Sequence, residues 1–261
     1  MPLPLAVTEV ATVSAHPHSS AALAARLLPL LDLTSLGEDD APETIRALCA
    51  RALQSPVAPA ALCVYPEHVT TVRETLRGTA AKVATVVNFP DGGSDPARVE
   101  RETRRAIAAG ADEIDMVLAY RALLDGDARS AQRGVEACRA ACGDGVLLKL
   151  IIESGELQTP ARIREACRIG LDAGVDFLKT STGKVTVNAT PDAAAIMLDE
   201  IAAAGGRCGF KAAGGIRTLD AARTYIDLAA ERLGDAWVTP ARFRIGASGL
   251  FDAALDALAE R

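Results

Sequence analysis

Two lysine residues each end a short apolar stretch of this 261-residue sequence. Lys179 follows Phe177 and Leu178, and Lys211 follows Phe210. An ammonium group in such surroundings loses its water, which disfavours its charged form, and a second ammonium nearby disfavours it again. The pair therefore predicts an amine that is nucleophilic at neutral pH, whereas a single strand-end lysine is more typical of a side chain that extends to solvent.

A carboxylate is placed to exchange protons with such an amine. Asp115 alternates with Glu113 and Val117 on one face of a predicted strand, which makes it a candidate proton donor or acceptor, or else a counter-ion. Asp32 follows two leucines and either joins the same network or caps the turn after it.

Lys149 is a third lysine in apolar surroundings, with leucine on both sides. A charge in this position needs a partner, which Asp115 or Glu153 would supply. We interpret Lys149 as electrostatic support for the reacting groups.

Three glycine-containing turns follow the last three predicted strands. Glycine lets backbone N–H groups approach an anion, and a helix N-terminus adds a favourable dipole. Tight connections between strands and helices are the alternative interpretation, but two of these turns also carry a cation. The sequence therefore predicts a phosphate site at these turns, which contain Gly183, Lys184, Gly214, Gly215, Arg217, Gly246 and Ser248.

Short β-forming stretches alternate with helical ones along the chain. The predicted strands are at about 29–33, 60–65, 82–88, 113–118, 145–153, 175–179, 207–212 and 242–246, and helical spacing is clear over 95–109, 160–173, 191–204 and 219–233. A polar or small residue recurs near the end of each strand. The spacing between one such residue and the next is about the length of one strand–helix unit.

Eight such units predict a single-domain α/β fold, the (β/α)₈ or TIM barrel. No Gly-x-Gly-x-x-Gly follows the first strand, so a dinucleotide-binding fold is not expected. In a barrel the strand ends meet at one mouth, where residues distant in sequence converge.

Composition excludes several classes of protein. A net charge of −6 argues against a nucleic-acid binder. The sequence contains no run of 18 apolar residues, which is the length that would indicate a membrane span. The six cysteines form no CxxC pair and are expected to be reduced thiols. Neither they nor the three histidines form a pattern typical of a metal site, so we expect no metal.

The N-terminal segment differs from the rest of the sequence. Residues 1–20 contain Pro2, Pro4 and Pro17, and the first arginine is Arg26, which is not the pattern of a signal peptide. We expect a leader at 1–20, a barrel domain at 21–261 and a cytoplasmic location.

Several longer motifs resemble the class I deoxyribose-phosphate aldolases from about Leu30 to Leu258. They are Asp32-Leu-Thr-Ser-Leu36, Ala61-Leu-Cys-Val-Tyr-Pro66, Val87-Asn-Phe-Pro90, Tyr120-Arg-Ala-Leu123, Leu147-Leu-Lys-Leu-Ile-Ile-Glu153, Lys179-Thr-Ser-Thr-Gly-Lys184 and Ala213-Gly-Gly-Ile-Arg217. The chain departs from the family pattern at Ala119, Ala212 and Gly249, where proline, proline and serine are expected.

The resemblance implies reversible cleavage of 2-deoxy-D-ribose 5-phosphate to D-glyceraldehyde 3-phosphate and acetaldehyde, in deoxynucleoside breakdown. It implies that Lys179 forms a Schiff base, that Lys211 perturbs its pKa and that Asp115 relays protons, with Asp32 in the surrounding network. It also implies phosphate contacts from the seven residues of the glycine turns, and that no organic cofactor is needed. The expected partners are sugar phosphates and aldehydes, and the expected assembly is a monomer or homodimer.

Two other functions remain open from the sequence. One is a different Schiff-base barrel aldolase that acts on another phosphorylated sugar. The other is a sugar-phosphate sensor that retains the pocket without turnover. A further unknown is the reactivity towards aldehydes of Cys63, which is predicted near the mouth and is otherwise a core thiol.

Overall fold

The computed structural model describes residues 20–259, so nearly all of the predicted leader lies outside the described residues. Eight parallel strands pair in chain order and close into a barrel, which confirms the predicted (β/α)₈ fold. The strands are β1 Leu31–Thr34, β2 Ala61–Val64, β3 Lys82–Val87, β4 Glu113–Val117, β5 Leu147–Ile151, β6 Phe177–Lys179, β7 Gly209–Ala213 and β8 Phe243–Ala247.

Helices follow the strands and cover the outside of the barrel. They are α1 Ser20–Leu27, α2 Pro42–Gln54, α3 Val69–Thr75, α4 Pro96–Ala108, α5 Tyr120–Leu124, α6 Ala128–Cys142, α7 Ser154–Leu157, α8 Pro160–Asp172, α9 Pro191–Ala203, α10 Leu219–Leu233 and α11 Gly249–Ala259, with 3₁₀ turns at Leu28–Leu30, Pro66–His68 and Asp235–Trp237. Within residues 20–259, no helix combines the length and apolar character needed to cross a bilayer.

The helix starts are encoded locally. Thr159, Thr190 and Thr218 each accept a backbone N–H of the following helix through the side-chain oxygen, and proline occupies the first turn after Thr159 and Thr190. Such caps satisfy N–H groups that the helix itself leaves unpaired. The four helices predicted from spacing are present, with ends within a residue or so of the predicted ones.

The first strand begins later than predicted. The stretch 29–33 was expected to be extended, but Leu28–Leu30 forms a 3₁₀ turn and β1 starts at Leu31. Pro29 explains the difference, because its fixed backbone angle suits the first turn of a helix and it lacks the N–H that a strand would donate. Five of the other predicted stretches contain their strand, and β7 and β8 each extend one residue beyond the predicted end.

Two kinds of surface line the barrel interior. An apolar wall is formed on β2 and β3 by Ala61, Cys63, Ala84 and Val86, which pack together as a cluster separate from the main core. Charged side chains from β1 and β4 to β8 occupy the rest of the interior and contact one another across it. All six cysteines are buried and unpaired.

Candidate active site

Asp115 lies at the centre of the buried charges. Its Oδ1 accepts a hydrogen bond from Lys149 at 2.7 Å, and its Oδ2 accepts from Lys179 and from Lys211, each at 2.7 Å. The strand register explains the convergence, because Asp115 is paired with Lys149 across β4 and β5, and Lys179 with Lys211 across β6 and β7. The structure thus brings together the two lysines and the carboxylate that the sequence singled out.

A second layer of charge lies beside this centre. Asp32 accepts from Lys211 at 2.5 Å through one oxygen and from Arg244 at 2.6 Å through the other. Asp32 therefore belongs to the network, and the alternative of a turn cap is wrong. Glu113 contacts Lys149 at 2.6 Å and Arg244 at 3.2 Å.

Of the two alternative partners predicted for Lys149, Asp115 is in contact and Glu153 is not. Glu113 is a further carboxylate in contact with Lys149, which the sequence did not indicate. Glu153 comes after the end of β5, and its oxygens accept from Thr182 instead.

The charged residues sit deeper than their predicted place at the mouth. Asp32, Asp115 and Lys149 lie within their strands and are fully buried, whereas Lys179 is the last residue of β6. The strands of a closed barrel are staggered, so residues at equivalent positions along a strand do not all reach the rim.

Counting charges in this network singles out one amine. Three carboxylates, on Asp32, Glu113 and Asp115, face four cationic groups, on Lys149, Lys179, Lys211 and Arg244. A surplus charge in a buried interior is costly, and loss of one proton removes it.

The pKa shifts agree with this count. Burial lowers the pKa of Lys179 below its usual value, Lys211 lowers it further, and Asp115 opposes both without outweighing them. Burial acts on Lys211 and Lys149 too, but the carboxylates around each of them outweigh it and raise the pKa. The pKa of Asp115 is held well below its usual range, because three lysines outweigh its burial.

Of the three lysines buried within residues 20–259, Lys179 is the one that lines a cavity. A cavity of about 500 Å³ opens at the carboxyl ends of the strands, and Lys179 lines it, whereas the side chains of Lys149 and Lys211 are fully buried. Desolvation, a neighbouring cation and access to a cavity together fit an amine that attacks a carbonyl carbon.

The same cavity collects the predicted phosphate residues. All seven line it, namely Gly183, Lys184, Gly214, Gly215, Arg217, Gly246 and Ser248. Helix α11 begins at Gly249, directly beside Ser248, so its free N–H groups and dipole favour an anion there. The Lys184 amine spans the mouth, donating to the Leu36 carbonyl oxygen at 2.7 Å.

Two of these glycines are required by close packing. Gly214 has φ +89°, and a Cβ there would lie 2.6 Å from Asn188 Cβ. A Cβ at Gly246 would lie 3.1 Å from Lys211 Cε and 3.2 Å from Ala213 Cβ. Gly246 thus gives Lys211 the space to reach Asp115, in addition to lining the cavity.

Sequence reasoning missed Arg244 and the role of Glu113. Arg244 stacks on the Phe177 ring, 5.5 Å from its centroid, and joins Asp32 to Glu113. A signal existed, since Arg244 shares strand parity with Gly246 and Glu113 shares it with Asp115.

Cys63 lies on the apolar wall and is fully buried. Burial raises the pKa of its thiol, which favours the protonated form. Within residues 20–259, no three His, Cys, Asp or Glu side chains are arranged to hold a metal ion, and a metal-free mechanism stays a prediction.

Known structures with the same architecture include several aldolases. A candidate deoxyribose-phosphate aldolase from Toxoplasma gondii ME49 superposes with a TM-score of 0.86 at 25% identity, over 93% of this chain and 98% of that one. One from Coccidioides immitis gives 0.77 at 28% identity, over 91% and 85%. The tetrameric deoxyribose phosphate aldolase from Aeropyrum pernix gives 0.71 at 24% identity, over 93% and 92%, and supports the fold alone.

The family comparison covers most of the sequence. Residues 27–250 match the model of the DeoC/LacD family aldolases, a range that includes every strand of the barrel and the buried charges and cavity residues of the candidate site. The chain therefore belongs to the DeoC/LacD aldolase family.

Proposed function

We propose that this aldolase cleaves 2-deoxy-D-ribose 5-phosphate reversibly to D-glyceraldehyde 3-phosphate and acetaldehyde through a Schiff base on Lys179. The observation that carries the proposal is that a desolvated amine, beside a second amine and a carboxylate, lines the same cavity as three glycine turns and two cations. The motifs shared with deoxyribose-phosphate aldolases select this sugar phosphate among those that such a cavity would accept.

Lys179 begins the reaction by adding its amine to the C1 aldehyde of the open-chain sugar. Loss of water gives an iminium, which withdraws electrons from the neighbouring bond. The C3 hydroxyl gives up its proton, the C2–C3 bond breaks, and its electron pair moves into the iminium to leave an enamine on Lys179. C3 becomes the aldehyde carbon of glyceraldehyde 3-phosphate.

Asp115 and Lys211 move the protons. Both lysines donate to Asp115, so its carboxylate accepts a proton from one amine and passes it to the other. Protonation of the enamine carbon yields the iminium of acetaldehyde, and addition of water releases acetaldehyde and restores the amine. Asp32 and Lys149 hold these groups in place and balance their charge.

Phosphate binding orients the sugar. The backbone N–H groups of the glycine turns, the start of α11, and the side chains of Lys184 and Arg217 face a cavity that an anion would fill. This contact is remote from C2–C3, so its binding energy serves to position the reacting carbons.

Trapping with borohydride tests the proposal. We expect incubation with 2-deoxyribose 5-phosphate and borohydride to leave a reduced adduct on the peptide that contains Lys179, and Lys179→Met to lower kcat by on the order of 10³-fold or more. An adduct on another lysine would overturn the assignment. Binding without any adduct would favour a sensor, and faster cleavage of a different sugar phosphate would favour the other aldolase.

The proposal extends to the assembly and location of the protein. We place the protein in the cytoplasm as a monomer or homodimer, whereas the Aeropyrum pernix protein is described as a tetramer. Light scattering of the purified full-length chain measures its mass in solution, and a mass of four chains would reject our proposal.

A further inference from the structure

Glu153 is a buried carboxylate that the proposed chemistry does not use. It is fully buried, and no lysine or arginine nitrogen among residues 20–259 lies within ion-pair distance of it. An ionisable group kept in this position requires hydrogen-bond partners and a reason for being there.

Its partners are both on one residue of the phosphate turn. Thr182 donates its backbone N–H to Glu153 Oε1 at 3.2 Å and its hydroxyl to Oε2 at 2.6 Å. Because the single proton of that hydroxyl is directed to Glu153, Thr182 Oγ1 is left as an acceptor, and it receives the backbone N–H of Lys184 at 3.0 Å. One carboxylate thus fixes the backbone on both sides of Gly183.

Gly155, two residues after Glu153, contacts the same loop at a second point. Gly155 lies against the backbone of Val187, where a Cβ would come within 1.9 Å of the Val187 carbonyl oxygen. Glu153 itself has left-handed backbone angles, φ 55° and ψ 58°, which are unfavourable for a non-glycine residue. The chain after β5 therefore turns sharply into contact with the loop that follows Lys179.

We propose that Glu153 is a positioning residue for phosphate recognition. Its hydrogen bonds to Thr182 hold the turn Thr182–Lys184 in the conformation that binds an anion. Within the described residues, Glu153 does not line the cavity, whereas Thr182, Gly183 and Lys184 do. The proposal rests on the proposed function, because it assumes that this turn meets the phosphate of the substrate.

The test compares a phosphorylated with an unphosphorylated substrate. Kinetics of the full-length protein with 2-deoxyribose 5-phosphate and with 2-deoxyribose give a ratio of the two kcat/KM values. We expect Glu153→Gln to lower this ratio about tenfold through a higher KM for the phosphorylated sugar. The NH₂ group of the glutamine amide would face one of the two Thr182 donors, where the carboxylate oxygen accepts a hydrogen bond. Activity on 2-deoxyribose is expected to change little.

Two further variants make the result specific. Gly155→Ala is expected to lower the same ratio, because its methyl group displaces the loop at Val187. Glu156→Gln, three residues along on the partly exposed side of α7, is the matched control and is expected to leave the ratio unchanged. An unchanged ratio in Glu153→Gln, or an equal loss on both substrates, would overturn the positioning role. A wild-type protein that does not cleave 2-deoxyribose 5-phosphate would instead overturn the proposed function.

Discussion

Lys179 and Lys211 donate to the same oxygen atom, Asp115 Oδ2, each at 2.7 Å. Their nitrogens are therefore no more than two hydrogen-bond lengths apart. Two ammonium groups at this distance repel each other, and Lys211 is better compensated because Asp32 also accepts from it at 2.5 Å. The repulsion is relieved when Lys179, which has no second carboxylate in contact among the described residues, gives up its proton.

This relationship gives a pH dependence. The pKa of Lys179 lies below its usual value, so the fraction of free amine, and with it kcat/KM, rises as pH increases through that pKa. In Lys211→Met the repelling charge is absent and Asp115 is less neutralised, and both changes raise the pKa of Lys179. We expect the acidic limb of the pH profile to move to higher pH and kcat/KM at pH 7 to fall on the order of 10²-fold.

Lys211→Arg is the control for that experiment, since it keeps a cation at the same position. Its acidic limb is expected to remain closer to that of the wild type. A Lys211→Met profile with an unmoved limb would show that Lys211 does not set the charge state of Lys179.

The buried network also predicts a difference in stability between two arginines. Arg244 is almost fully buried between Asp32 and Glu113, whereas the Arg26–Asp235 pair is largely exposed. We expect Arg244→Met to lower the free energy of unfolding by about 3 kcal/mol, because it leaves buried carboxylates undercompensated. Arg26→Met is expected to cost less than about 1 kcal/mol.

Urea unfolding monitored by circular dichroism measures both changes. The double variant Arg244→Met/Glu113→Gln removes one carboxylate as well and is expected to recover part of the loss. Equal, small effects of Arg244→Met and Arg26→Met would mean that the buried network contributes nothing beyond a surface pair.

Two adjacent glycines of the phosphate turn are expected to respond differently to alanine. Gly214 and Gly215 have φ of +89° and +82°, so each substitution carries a similar backbone cost. The space differs, because a Cβ at Gly214 meets Asn188 whereas one at Gly215 meets nothing within 4 Å. We expect Gly214→Ala to raise KM for the phosphorylated substrate about tenfold, and Gly215→Ala only a few-fold.

Asn188→Gly combined with Gly214→Ala removes the collision and is expected to recover much of the affinity. Steady-state kinetics of Gly214→Ala, Gly215→Ala and the double variant measure these changes in KM. Equal effects at the two glycines would mean that the backbone angle alone explains their presence.

A gain of affinity is expected at Gly249. This residue begins α11, lines the cavity and has open space where a side chain would project. In Gly249→Ser the new hydroxyl lies beside the phosphate site, and we expect KM for 2-deoxyribose 5-phosphate to fall a few-fold while that for 2-deoxyribose is unchanged. An unchanged KM for both sugars would show that the hydroxyl does not reach the phosphate.

The sequence predicted those parts of the molecule that depend on pattern. Strand parity placed Lys179, Lys211 and Asp115 in the interior, and the glycine turns were assigned to one rim. Distances across the barrel carry no local signal, which is why the sequence offers Glu153 as an alternative partner of Lys149, whereas Glu113 contacts it together with Asp115. The same limit concealed the hydrogen bonds between Glu153 and Thr182.

The start of β1 shows a different limit. The leucines before Asp32 have the composition of a strand, but Pro29 shifts Leu28–Leu30 into a 3₁₀ turn, so that local chemistry overrides a hydrophobic pattern. Depth was also not predictable, since strand stagger determines which of the charged residues reaches the mouth.

The apolar wall makes the barrel interior chemically one-sided. Ala61, Cys63, Ala84 and Val86 present carbon and sulfur, and the raised pKa of Cys63 keeps its thiol protonated. The amines and carboxylates lie on the other strands of the barrel. We therefore expect the enamine of the proposed reaction on Lys179 to be protonated from the side of the charged strands. The hydrogen taken from solvent is then expected to enter from one side of the carbon that becomes the methyl group of acetaldehyde, although that carbon is not a stereocentre in the product.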